Sequence, residues 1–197
     1  MAWDHFFKRS MNEFLKEHVT LDESVGDIDR KIDVVLDSTS LNETFPLLLL
    51  PYIFLKLKGI HIMEFKSEKD KFSEKALSKL LGYLGFYMNN KNRGIEQLGQ
   101  SVFAWMILSG HTEEFKKLRK KVALKTLRQG IYSFKKINWQ YIMNLDELKL
   151  EMRNALFLMN ASMDKFNAFL EFLMKNQVEL TENEKKYIRA RCYSVLH

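Results

Sequence analysis

Apolar positions along the chain change their period several times, and each change marks an element. Trp3, Phe6, Phe7, Met11, Phe14 and Leu15 recur at three- and four-residue steps, which predicts an amphipathic helix over residues 3–18. Residues 19–30 are polar, contain Gly26 and read as a loop. Lys31-Ile32-Asp33-Val34-Val35-Leu36 is short and β-branched, a strand pattern. Ser38 to Glu43 is turn-like. The apolar run from Leu47 to Lys58 contains Pro51, which cannot donate to a sheet ladder, so an edge strand or bulge is expected there. After Gly59, Ile60-His61-Ile62-Met63-Glu64-Phe65-Lys66 reads as a second strand, with a Glu and a Lys where apolar residues are expected. Ser73 to Asn89 predicts a helix with Leu77, Leu80, Leu81, Leu84 and Met88 on one face.

Val102 to Leu108 has the length and continuity of a buried strand. Thr112 opens a further helix, with Glu113 and Glu114 in the first turn where they complement the dipole, and Gly130 is expected to end it. Ile131 to Ile137 and Tyr141 to Leu145 suggest short strands. From Asn144 onward the pattern is helical, and Asn144-x-x-Glu147 and Thr181-x-x-Glu184 read as capping boxes. The Phe, Leu and Met stripe of residues 156–174 suits either a core or a dimer face. This order predicts an α/β protein: a mixed central sheet of four to five strands flanked by helices. Residues 1–145 form the core on this reading, and residues 146–197 a helical extension packed on it or pairing subunits.

Composition narrows the function. The one cysteine, Cys192, excludes an intrachain disulfide and a multi-cysteine zinc site, and points to a reduced, cytoplasmic setting. The first residues lack an apolar signal core, and the run from Phe45 to Leu57 is too short to span a bilayer, so no membrane is expected as a partner. A net charge of +6 favours an anionic partner, nucleic acid first.

The chemistry centres on a spacing. Glu-x-Lys occurs four times, at Glu64/Lys66, Glu114/Lys116, Glu147/Lys149 and Glu184/Lys186. The last three fall in predicted helices, where such residues face different ways. In a strand they share a face, about 6.5 Å apart, so only Glu64 and Lys66 stand side by side. Asp33 lies in another predicted strand. Two carboxylates on neighbouring strands can share a divalent cation, and Mg²⁺ favours a few carboxylates with waters and phosphate. A lysine beside them can orient the attacking water or steady the developing negative charge. A salt bridge on an exposed strand face is the simpler reading of Glu64 and Lys66. Lys117, Lys121, Lys125 and Arg128 would form one basic helical stripe able to meet phosphates, or a solvated face. Lys69, Lys71, Lys75 and Lys79 follow the Glu-x-Lys strand. His61 should face away from Glu64 as a packed or surface histidine. Ser67 either polarises a water near the metal or ends the strand.

Asp33-Val-Val-Leu followed by His61-Ile-Met-Glu64-Phe65-Lys66-Ser67-Glu68 resembles the PD-(D/E)XK nucleases. The opening Asp4-x-x-Phe7-Lys8, and the helix with Leu80, Leu81 and Tyr83, are similar to the recombination-promoting nuclease (Rpn, transposase-like) branch. The resemblance covers roughly residues 3–145. It implies a restriction-endonuclease-like core, Mg²⁺-dependent DNA cleavage with Mn²⁺ as a substitute, and often a homodimer. It assigns Asp33 and Glu64 to the metal, Lys66 to the nucleophilic water, and a further acidic ligand to the first helix, for which Glu17 is preferred to Glu13. The connection between Asp33 and Glu64 is longer than is usual for the family. An inserted strand or loop at about 40–59 would account for it, and Asp37 is then the alternate aspartate. The rival reading is a non-catalytic nucleic-acid-binding or assembly protein that keeps the fold.

Overall fold

The computed structural model describes residues 3–24, 31–41, 50–89, 101–135 and 137–195. Seven strands in that set form one mixed sheet, in the order β1-β2-β3-β4-β7-β6-β5. They are β1 (Val19–Ser24), β2 (Lys31–Asp37), β3 (Ile60–Lys66), β4 (Val102–Leu108), β5 (Leu124–Arg128), β6 (Ile131–Phe134) and β7 (Ile137–Asn144). The central pairs β3/β4 and β4/β7 are parallel, and the outer pairs are antiparallel. The protein is therefore α/β with a mixed sheet, as expected, but the sheet is wider than four to five strands.

The two unexpected strands are the edges. β1 lies in the segment read as a loop, whose remainder, residues 25–30, falls outside the described residues. Its residues alternate between half-buried and exposed, with none fully buried. An edge strand of this kind is held by backbone pairing to β2 and leaves almost no hydrophobic signature. β5 replaces the second half of a predicted helix. Helix α4 (Thr112–Lys121) anchors through Phe115 and Leu118, and Val122 is already extended. The Lys117, Lys121, Lys125 and Arg128 stripe therefore does not exist as one helical face, because Lys125 and Arg128 sit on β5.

Gly130 forms the tight turn between β5 and β6 instead of ending a helix. Its φ is +77°, and a Cβ there would lie 2.7 Å from the Leu148 backbone nitrogen and 2.9 Å from the Asn144 carbonyl oxygen. Gly130→Ala should cost about 2–3 kcal/mol from left-handed strain plus backbone crowding. Urea denaturation of the variant measures it, and an unchanged midpoint would show that the turn is not rigid.

The run containing Pro51 is also not a strand where it is described. Pro51 precedes a short helix, α2 (Tyr52–Lys56), a place where its fixed φ of −52° suits helix entry. Leu47 to Leu49, and the end of the predicted turn beyond Leu41, lie outside the described residues.

Helices cover both faces of the sheet. α1 (Trp3–Leu15), α2, α5 (Ala155–Leu158), α6 (Met163–Lys175) and α7 (Glu182–Val195) pack on the face carrying Met63, Phe65, Trp105, Ile107, Tyr141 and Met143. α3 (Glu74–Asn89) and α4 pack on the face carrying Ile60, Ile62, Ala104, Met106, Leu108 and Ile142. The 156–174 stripe belongs to the core, since Leu156, Phe157, Phe166, Phe169 and Leu173 share one cluster with Phe7 and Met11 of α1. The Tyr187 hydroxyl donates to the Phe6 carbonyl at 2.6 Å, tying α7 to α1. Thr181 and Glu184 form the expected capping box: the Thr181 N–H donates to Glu184 Oε2 and the Glu184 N–H to Thr181 Oγ1. Asn144 caps only a 3-10 turn, Leu145–Glu147, and Glu147 turns away to the Tyr132 hydroxyl. Among the described residues no helix is long and apolar enough to cross a membrane.

Candidate active site

The antiparallel register of β2 and β3 pairs Val35 with Ile62 and Val34 with Met63. The paired register ends there, one residue short of Asp33 and Glu64, and Ile32 and Val35, three residues apart, pack in the same cluster, so the alternation of β2 breaks at Asp33. The β2–β3 pairing stops at this point. β2 stays with β1 as far as Lys31, while β3 continues beside β4 to Lys66. The strands part, and Asp33 Oδ2 accepts the Phe65 N–H at 2.9 Å. A side-chain carboxylate thus satisfies a backbone donor that the missing ladder would have paired.

Lys66, two residues beyond Glu64 on the same face, donates to Glu64 Oε1 at 2.9 Å. Glu64 and Lys66 are thus paired on β3, with the Asp33 carboxylate near enough for its charge to act on Lys66. Their side chains are 16%, 7% and 19% exposed, so their charges interact with little screening from water. Burial acts to lower the Lys66 pKa, but the charge and hydrogen bond of Glu64, with Asp33 and Asp70 nearby, outweigh it and raise the pKa above the usual lysine value. Lys66 is a firmly held ammonium. Lys79 of α3 lies 3.9 Å from Glu64 Oε1 and sits over the Tyr83 ring. Lys66 is the hydrogen-bond partner of Glu64 through Oε1, and Oε2 takes part in no hydrogen bond among the described residues.

α1 approaches from the other face, where Phe7 stacks on Phe65 with ring centroids 4.6 Å apart. That packing brings the next residue, Lys8, to Asp33 Oδ1 at 3.1 Å and to Asp22 Oδ1 at 2.7 Å. Sequence reasoning gave Lys8 no role, although it closes the Asp4-x-x-Phe7-Lys8 motif. It missed Asp22 because β1 was read as a loop.

The other acidic candidates are elsewhere. The Glu17 side chain is 85% exposed on the 3-10 turn after α1, 3.9 Å from the His18 ring. Glu13 is exposed and lines a groove with Arg9 and Lys186 against α7. Asp37 lies opposite Ile60, four residues along β2 from Asp33, and accepts the Thr39 N–H and hydroxyl. α1 thus presents Lys8 to the site in place of an acidic ligand. Among the described residues no three His, Cys, Asp or Glu side chains are grouped to hold a metal ion. Two carboxylates still fit Mg²⁺, which keeps several waters and is commonly held by one or two carboxylates plus substrate phosphate.

Compared with known proteins, the chain matches no family model, no curated protein and no solved structure.

The loops beyond the site are tightly braced. The Ser67 N–H and hydroxyl both donate to Asp70 Oδ2, so Ser67 secures the turn after β3 and is not directed at a water. His111, at the start of α4, lies 2.6 Å from the Ser67 carbonyl through Nε2. Lys69 and Lys71 are exposed on this turn, and Lys75, Lys117 and Lys121 line a groove between α3 and α4. Lys121 is paired there with Glu74 at 3.0 Å.

His61 faces away from Glu64, as expected, and is fully buried. Trp105 Nε1–H donates to His61 Nδ1 at 2.9 Å, which leaves the neutral ring its proton on Nε2 to give to Ser38 Oγ at 2.9 Å. Burial pushes the His61 pKa down to about 3.

Proposed function

We propose that the protein is a metal-dependent nuclease of the PD-(D/E)XK type, related to the Rpn branch, that hydrolyses DNA phosphodiester bonds. The observation that carries this reading is the hydrogen bond of Lys66 to Glu64 on β3, with Asp33 held by the intervening Phe65 N–H and its charge acting on Lys66. Asp33 and Glu64 would hold Mg²⁺ or Mn²⁺, which when bound supplies positive charge for the scissile phosphate and acidifies water. Lys66 keeps its proton, so its part is to donate: it orients the nucleophilic water and balances charge that builds on the phosphate. The Phe65 N–H fixes Asp33, and Phe7 behind Phe65 stiffens the strand that carries Glu64 and Lys66. Charged groups so placed need little reorganisation during reaction.

The net charge of +6 and the exposed Lys69, Lys71, Lys117, Lys121 and Lys125 supply a non-specific hold on DNA. Replacing Lys117 and Lys121 with Ala should weaken DNA binding for every sequence tested and reduce the salt slope by about one per lysine lost. Fluorescence anisotropy across a salt series checks this; an unchanged slope would move the DNA path elsewhere.

A second reading, a DNA-binding protein of the same fold without turnover, draws on the lysine counter-ion that each carboxylate already has. Plasmid nicking with and without Mg²⁺ separates the two. Metal-dependent conversion of supercoiled to nicked plasmid supports the nuclease, and binding without conversion supports the second reading.

A further inference from the structure

Tyr52, at the start of α2, gathers three cations from three separate parts of the chain. Lys56 Nζ, one turn further along α2, lies 5.2 Å from the centre of its ring. The guanidinium carbons of Arg128, on β5, and Arg153, on the 3-10 turn Met152–Asn154, lie 5.3 and 5.6 Å from the same point. Irregular backbone sets both arginines. The β5–β6 register shifts between Thr126 and Arg128, and a bulge of this kind re-aims a side chain on an edge strand. The Asn154 side-chain amide donates to the Lys149 carbonyl at 2.9 Å and closes the loop that carries Arg153.

The three charges lie within roughly one screening length of each other, 10 Å at 0.1 M salt, and so repel. The ring face attracts each of them by about 0.5–1 kcal/mol at such an exposed place, which keeps them together. It leaves their hydrogen-bonding capacity unused. Lys56, Arg128 and Arg153 make no ion pair and donate no side-chain hydrogen bond among the described residues, and the Tyr52 hydroxyl makes none either. Tyr52 and Arg128 line a cleft of about 260 Å³ with Gln129, Lys149, Glu151 and Asn154. The acidic side chain in that lining, Glu151, is held by Lys149 at 3.2 Å.

We propose that Tyr52, Lys56, Arg128 and Arg153 form a binding site for phosphate groups, separate from the candidate active site. Two guanidinium groups supply planar forks of N–H donors that match phosphate oxygens, and contact with a ring takes up the face of a guanidinium while its in-plane donors stay available. The site does not depend on the reading of Glu64 and Lys66. Phe54 of α2 and Leu127 of β5 pack in the core beneath α1, whereas the groove with Lys117 and Lys121 lies over the opposite face of the sheet. The phosphate has two sources with the same chemistry, a free phosphate compound or a DNA strand.

Inorganic pyrophosphate, titrated by calorimetry in EDTA so that no metal takes part, is the first probe. Wild type should bind it, and the double variant Arg128→Gln/Arg153→Gln should bind it at least about tenfold more weakly. Lys175→Gln/Arg189→Gln removes the same charge from exposed positions on α6 and α7, and should change the affinity by less than about twofold. Lys56→Gln should lose about threefold and decides the matter if the arginine variant does not fold. A short fluorescein-labelled DNA duplex, followed by anisotropy in the same buffer, identifies the source. DNA affinity lost in the arginine variant beyond the loss in the control variant assigns the site to a DNA strand. Unchanged DNA affinity with weakened pyrophosphate binding assigns it to a free phosphate compound. Equal affinities of the arginine and control variants for both probes, or no binding of either probe by wild type, would overturn the proposal. Neither result bears on metal-dependent nicking, which tests the nuclease reading by itself.

Discussion

Glu64→Gln is expected to reduce Mg²⁺-dependent plasmid nicking by at least about 10²–10³-fold, the scale on which loss of one charged contact at a reacting centre is felt. The substitution keeps the size of the side chain and an oxygen that can still accept from Lys66, so the fold should lose no more than about 1–2 kcal/mol. What it removes is the negative charge that both a divalent cation and the Lys66 ammonium require. Lys66→Ala should lower the rate by a similar factor for a different reason, since it takes away the donor and leaves Glu64, only 7% exposed, with Lys79 as its nearest cation. The two variants also differ in their unfolding. Lys66→Ala strands a mostly buried carboxylate and should be the less stable of the pair. Single-turnover nicking assays with thermal melts of each variant give the comparison. Nicking that survives either substitution at the wild-type rate would place the chemistry elsewhere in the molecule.

The second large effect concerns stability and lies on the opposite face of the sheet. An unfolded chain protonates histidine near pH 6.5, whereas folded His61 resists protonation until about pH 3. Its ring is enclosed by Phe54, Phe103 and Trp105, accepts from Trp105 and contacts Ser38. Asp37 is the charged group that acts on it, and only weakly against burial. Between those two pH values the unfolded state binds more protons, so stability falls as pH falls. The contribution is fully present above about pH 6.5 and is lost on acidification toward pH 3, by up to about 1.4 kcal/mol per pH unit. Denaturant midpoints measured from pH 7 to pH 4 should therefore slope more steeply in wild type than in His61→Phe. The variant's own packing cost shifts the level of its curve, not this slope. Equal slopes would show that His61 is protonated in the folded state or is not enclosed as described.

The strands that carry the site were readable because each is a local pattern. β2, β3 and β4 are buried on both faces, so their apolar runs survive in the sequence, and two polar residues at period two stand out within β3. The edge strands were not readable for the converse reason. β1 and β5 bury little, and backbone pairing carries no residue signature. The lysine stripe misled because a run of lysines at three- and four-residue steps fits a helix whether or not an apolar face continues beneath it. After Leu118 none does, and the chain turns extended at Val122.

The sequence by itself therefore determined the placing of Glu64 and Lys66 together on β3. Glu64 and Lys66 must share a face in any strand, because side chains alternate with a period of two. It also determined the α/β layering and that His61 faces away from them, while its burial came from the packing of Phe54, Phe103 and Trp105 around it. Which aspartate lies beside the Glu64–Lys66 strand, and which α1 residue meets that aspartate, were decided only by the tertiary structure. Register between strands is a contact between distant parts of the chain, set by how both cores pack at once. It brought Asp33, and not Asp37, to the Phe65 N–H between Glu64 and Lys66, and set Lys8 of the first helix against that aspartate.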